Sequence, residues 1–182
     1  ESEKILEIAK SYKLIPRMHA DEFVYSGASE LAKKVGAISA DHLMAITDRG
    51  IAALSSSNVI ATLLPGTSFF LNSNIYADGR KLIDKGCQVS LASDFNPGTC
   101  TINSLSVIMF LSMYFCGMKL EESFKAITYN AAKAIGQDDR IGLIQEKYDA
   151  DIIFWDISSI EEIPYWFGSS SNKIKRIIKS GK

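Results

Sequence analysis

Two histidines and one aspartate stand where a short apolar run gives way to a polar one. His19 follows Leu14 to Met18, His42 follows Ala37 to Asp41, and Asp94 follows Val89 to Ser93. They matter because imidazole nitrogen and carboxylate oxygen are ligands that zinc or ferrous iron accept. The same groups can also move a proton to or from water. A lone histidine at such a place is usually structural. Three chemically matched groups at three equivalent places raise the expectation of a site. Glu22, three residues after His19, adds a second carboxylate, although residue type alone favours a solvated loop position for it. Asn96-Pro97-Gly98-Thr99 follows Asp94 and reads as a turn. Cys100 lies next to that turn and is expected to be a bland buried thiol, not a nucleophile.

The elements needed to hold these groups recur along the chain. A short apolar strand is followed by a polar loop and then a helix. Ala28, Leu31, Ala32 and Val35 repeat at helical spacing and Gly36 supplies a stop. Thr47 can cap the next helix, with Ile46 and Ile51 as a hydrophobic staple. Val59 to Leu64 is a β-prone run that ends at Pro65-Gly66. A helix carrying Leu82 and Ile83 stops at Gly86, and Val89 to Ala92 is a fourth strand. Two further helices are expected at about Ser104 to Cys116 and Leu120 to Ile135. Strands alternating with helices predict a parallel sheet with helical crossovers. The nearly all-apolar strands predict burial on both faces. In such architectures ligands gather at the ends of the strands, where the polar residues cluster here.

After Gly142 the pattern changes. Asp151 to Asp156 and Ile174 to Ile178 read as strands of a small β appendage, with Ser158 to Asn172 a long polar-aromatic loop between them. Residues 1–140 and 141–182 are therefore expected to be two parts. Four strand–helix units are half the eight of a (β/α)8 barrel. The alternatives at this point are an open α/β sheet or half of a barrel.

Composition narrows the function classes. Apolar residues make up 47% of the 182, charged residues 23%, and the net charge is −1. That is globular composition with no basic stripe, so neither nucleic acid nor an anionic membrane surface is an expected partner. Three widely spaced cysteines form no disulfide framework or zinc pair, and a cytoplasmic home is expected. Val107 to Met118, the most apolar run, is short of the roughly 20 residues a membrane span needs. The N-terminus, Glu1-Ser2-Glu3-Lys4, is charged and does not read as a signal peptide.

The words around the three groups are more specific than the groups themselves. Met18-His19-Ala20-Asp21-Glu22-Phe23, Ser39-Ala40-Asp41-His42, Leu63-Leu64-Pro65-Gly66-Thr67-Ser68-Phe69-Phe70 and Ser93-Asp94-Phe95-Asn96-Pro97-Gly98-Thr99 occur in this order. In order and spacing they closely resemble the imidazolonepropionase family of the amidohydrolase superfamily. Thr128-Tyr129-Asn130-Ala131-Ala132 resembles the superfamily's last barrel helix, and Ala150 to Asp156 its return to a β-sandwich. The resemblance covers almost the whole chain and implies the C-terminal half of a (β/α)8 barrel plus part of a small β-sandwich.

It also implies roles. His19 and Asp94 match metal ligands for one divalent ion, zinc or iron. Asp94 and His42 match groups that handle the attacking water or the reacting carbonyl. Glu22 matches a contact to the substrate ring, and Asn96, Gly98 and Thr99 match a substrate-binding loop. The implied reaction is hydrolysis of the ring amide C–N bond of 4-imidazolone-5-propanoate to N-formimino-L-glutamate, in histidine degradation. The implied parent enzyme commonly forms a homodimer. One departure is plain: the family's His-x-His pair, which supplies two more metal ligands, has no counterpart here, since the sequence holds only two histidines. The chain is accordingly expected to be a fragment lacking an N-terminal half. By itself it is expected to be inactive and poorly soluble. Two other readings stay open: an amidohydrolase for another cyclic amide, amidine or aminopurine, and a non-catalytic α/β module that self-associates.

Overall fold

A computed structural model describes residues 1–182. It opens with helix α1 (Ser2–Ser11), which buries none of its residues and rests on the next helix through Lys34–Glu3 and a Lys10 Nζ donation to the Val35 carbonyl. Strands β1 (Arg17–Ala20), β2 (Ser39–His42), β3 (Ile60–Leu63) and β4 (Val89–Leu91) then form one parallel sheet in the order β1-β2-β3-β4. Register places Arg17 beside Ser39, His19 beside Asp41 and Thr62 beside Ser90. Parallel neighbours need crossovers, and each is supplied by helix: α2 (Ala28–Val35), α3 (Asp48–Ser55), then α4 (Pro65–Phe70) and α5 (Gly79–Asp84) together.

The two faces of the sheet differ in chemistry. Side chains alternate along a strand, so Ala20, Ala40, Ala61, Leu63, Val89 and Leu91 point one way. They join Ala32, Val35, Ile51, Leu54 and Leu82 in a core cluster of 20 buried residues. On the other face stand Arg17, His19, Ser39, Asp41, Thr62 and Ser90. There Thr62 Oγ1 and Ser90 Oγ share a hydrogen bond of 2.8 Å, and Arg17 Nη2 reaches Asp41 Oδ2 at 3.3 Å. Strands β2, β3 and β4 are buried at every position. Burial on both faces thus holds for three strands, but apart from Ile60 the second face is polar, which counting apolar residues did not reveal.

Element boundaries follow local chemistry. Gly36 ends α2 at φ 62, where a side chain would be strained. Thr47 caps α3 by accepting from the Gly50 amide. The first strand starts at Arg17, leaving Leu14 and Ile15 exposed outside it. The expectation of a single helix from Leu120 to Ile135 is corrected. Helices α7 (Leu120–Ile127) and α8 (Tyr129–Ala134) are separated at Thr128, at φ −116 and ψ −95, whose hydroxyl bonds back to the Phe124 carbonyl. The turn lets Asn130 Nδ2 donate to the Val89 carbonyl and tie α8 to β4. Helix α6 (Leu105–Phe115) precedes them.

Strands β5 (Ile152–Trp155) and β6 (Ile174–Ile178) pair antiparallel in a separate sheet. The segment between them is not all loop. It contains α9 (Glu162–Tyr165) and a 3-10 turn at Ser170–Lys173, held to α6 by a Ser170 to Ser106 hydroxyl bond of 2.9 Å.

Candidate metal centre

The C-terminal ends of β1 and β2 lie side by side, and this brings His19 and His42 together. His19 Nδ1 and His42 Nε2 are 2.7 Å apart, with ring centroids at 4.8 Å. At that separation one nitrogen carries a proton and the other a lone pair. Glu22 comes back over the end of β1, and its Oε1 is 3.5 Å from His42 Nδ1. One ligand atom from each of His19, Glu22 and His42 lies within 4.8 Å of the others. His42 is buried and His19 exposed, so the group opens toward solvent on the His19 side.

Burial lowers the pKa of His42 below the ordinary histidine value. The Glu22 carboxylate opposes this and the His19 ring adds to it. The ring is therefore held neutral, the form in which imidazole nitrogen can bind a metal. Two facing imidazole nitrogens and a carboxylate make a donor set that fits a divalent cation of the zinc or iron type.

The backbone around the trio is unusual. Asp21, His42, Leu43 and Asp94 all have positive φ, at 46, 81, 64 and 52. For side-chain-bearing residues this costs on the order of 1 kcal/mol each, and such positions cluster where side chains are aimed for a purpose.

Asp94 follows β4 and stands outside the trio, near enough for its charge to act on His42. One of its oxygens, Oδ2, accepts from Thr67 Oγ1 at 2.6 Å. The loop after it is closed on itself. Asn96 Nδ2 donates to the Asp94 carbonyl and to Thr99 Oγ1, while Asn96 Oδ1 accepts from the Gly98 and Thr99 amides, all at 2.8 Å. The Gly98 and Thr99 amides are thus turned toward Asn96.

Sequence reasoning missed two residues at this rim. Thr67 gave no signal beyond a place in the Pro65-Gly66-Thr67 word. Asp21 lay inside the polar cluster after β1 without an assigned task. Buried and adjacent to the trio, it accepts from Ser26 N at 2.8 Å, Ser26 Oγ at 2.9 Å, Ser29 N at 3.2 Å and Ser29 Oγ at 2.5 Å. It ties the turn that carries Glu22 to the start of α2. All three cysteines are buried, and burial pushes Cys87 up to about 11 and Cys116 up to about 12.

The amidohydrolase family pattern matches residues 29–182. An imidazolonepropionase of Kosmotoga olearia is 47% identical over the full 182 residues, which span 44% of that protein. One of Bacillus cytotoxicus is 43% identical over 170 residues, 93% of this chain and 40% of its own length. The chain therefore spans less than half the length of the relatives it matches. Among solved structures, an adenosine deaminase of Xanthomonas campestris with bound zinc superimposes with a TM-score of 0.82 at 16% identity. It covers 99% of this chain, and the match takes in 47% of the deaminase. That likeness shows the fold: the parallel sheet is an arc of an amidohydrolase barrel.

Proposed function

Because this chain belongs to the amidohydrolase family, we propose that it supplies the C-terminal part of an imidazolonepropionase, with a site for one divalent ion, zinc or iron, at the end of the barrel arc. The observation that carries this reading is that His19, the assigned ligand, converges within 4.8 Å with Glu22 and His42, the assigned ring and carbonyl contacts, at the ends of adjacent parallel strands. The 47% identity to an imidazolonepropionase supports the substrate, 4-imidazolone-5-propanoate.

In this reading residues 1–140 build the barrel part and residues 141–182 a β-sandwich part. His19 and Asp94 hold the ion, together with histidines from an N-terminal half that the relatives possess. A bound ion supplies Lewis-acid activation of water and of the ring carbonyl near neutral pH. Everything else falls to side chains. Asp94 takes a proton from the attacking water. His42, neutral and buried, donates to the oxygen on which charge develops. Glu22 accepts from a ring N–H and so orients the carbonyl. The turn of Asn96, Gly98 and Thr99 walls the end of the site that meets the propanoate. A C–O bond forms, the ring C–N bond breaks, and the water proton ends on the departing nitrogen.

No helix is long and apolar enough to cross a membrane. Three unpaired buried thiols support the cytoplasm as the compartment, and the completed enzyme is proposed to be a homodimer.

The test is reconstitution. The chain is co-expressed with the N-terminal segment of the Kosmotoga olearia relative that it does not overlap, and also purified alone. Elemental analysis and turnover of 4-imidazolone-5-propanoate are read on both. Near-stoichiometric zinc or iron and activity in the pair only are expected. Tight metal in the lone chain, or a stable pair with neither metal nor turnover, overturns the reading.

A further inference from the structure

Thr67 is 1% exposed, and its one hydroxyl proton is committed to Asp94 Oδ2 at 2.6 Å, across 27 residues of sequence. A short bond from a hydroxyl to a carboxylate is charge-assisted and stronger than a neutral one. Asp94 Oδ1 has no hydrogen bond from the protein, so the two oxygens are unequal: one is tied down and the other is free. The Asp94 main chain is fixed as well, at φ 52, with its carbonyl accepting from Asn96 Nδ2 at 2.8 Å.

The delivery of that hydroxyl is built into the chain. Pro65 sits at the first position of α4, so the helix starts immediately after β3 and its first turn faces the loop after β4. Gly66 permits the approach. A Cβ there would lie 2.9 Å from Ile108 Cδ1, 3.0 Å from Cys100 Sγ and 3.4 Å from the Ser93 carbonyl. The absence of a side chain lets the Gly66-Thr67 backbone lie against Ser93 and puts Thr67 Oγ1 on Asp94.

We propose that Thr67 is a positioning residue for the reaction: its hydroxyl fixes the Asp94 carboxylate so that one chosen oxygen, Oδ1, faces the ion and the water. The inference rests on the reading of Asp94 as a group of the reacting site. A hydroxyl that merely satisfied its own hydrogen bond would serve equally well on any acceptor, and its loss would be felt in folding alone.

The test compares Thr67→Val, which keeps the shape and removes the hydroxyl, Thr67→Ala, which removes it without adding bulk, and Thr67→Ser, which keeps it. All are made in the reconstituted pair. Metal affinity is read by chelator competition, kcat and KM by turnover, and the unfolding midpoint on metal-stripped protein. Loss of a group that orients a ligand weakens metal binding by about 10- to 100-fold. Val and Ala are expected in that range, with kcat reduced, KM within about twofold and Ser within about threefold of the parent. Parent-like metal affinity in Val and Ala overturns the proposal. So does equal weakening in all three variants together with a lowered midpoint, or failure of Val and Ala to accumulate while Ser does, since each assigns Thr67 to folding. A parent pair without metal or turnover fails the proposed function itself, which is a separate result.

Discussion

Asp21 holds the loop of the candidate metal centre without belonging to the trio. Its carboxylate is buried among donors from Ser26 and Ser29 and holds the turn that follows His19. Burial works against the charge, but the hydroxyl and amide donors of Ser29 and Ser26 outweigh it and hold the carboxyl below the usual aspartate range. Hydrogen bonds to a charged group are worth about 1.5–3 kcal/mol, so Asp21→Ala should cost about 2–3 kcal/mol in urea unfolding. The sign with pH follows from the lowered value. The folded pKa lies below the unfolded one of about 3.9, so the stabilisation is complete above that pH. It is lost as pH falls through the folded value. Unfolding curves from pH 7 downward should show the parent losing this increment in acid and Asp21→Asn showing none of it. An unchanged acid slope in Asp21→Asn would remove Asp21 from the account. The strand-end places of His19, His42 and Asp94 were legible because each ends an apolar run. Asp21 was not, because its partners lie five and eight residues on, beyond the spacing by which a helix cap is recognised.

At the scale of elements, legibility tracked punctuation. Gly36, Thr47 and Gly86 mark helix ends by rules of local geometry, and the structure has those ends. Thr128 carries no such mark, so the break between α7 and α8 was invisible; the contact it permits, Asn130 to the Val89 carbonyl, spans 41 residues. The same limit hid α4. Pro65-Gly66 reads as the end of a strand, and only the packed structure shows that the pair also begins a helix against the Ser93 loop. Gly66 has an ordinary φ, so the constraint on it is space rather than backbone conformation. Gly66→Ala should push the Ile108 and Cys100 side chains aside and strain the Ser93 approach. Overpacking of this kind costs about 1–3 kcal/mol. The thermal midpoint should drop, and metal affinity of the reconstituted pair should fall with it as Thr67 withdraws from Asp94. A lowered midpoint with metal affinity intact would separate the packing of α4 from the aiming of Asp94.

The whole molecule has a closed core and two open sheet edges. Its helix-side core is continuous from α2 to Ala126 of α7 and includes Cys87 and Cys116. The sheet, in contrast, ends at β1 and β4 with no further neighbour. Phe23 and Val24 after β1, Phe69 and Phe70 in α4, and Phe95 after β4 are exposed around its C-terminal rim. Unpaired strand edges and exposed aromatics favour association with another chain. The poor solubility expected of the lone chain would therefore arise from edges and rim rather than from a failure of the core. Thiols can tell these apart, because the three cysteines are buried and two of them sit in that core. Only a thiolate reacts, and burial holds Cys87 near 11 and Cys116 near 12, so neither should label at pH 8 while the core is closed. The lone chain, even when it self-associates, is expected to incorporate well under about one equivalent of a maleimide over an hour, and all three in urea. Rapid labelling without denaturant would mean that the helix-side core closes only when the partner strands arrive. The half-barrel would then be a product of assembly rather than a preformed part of it.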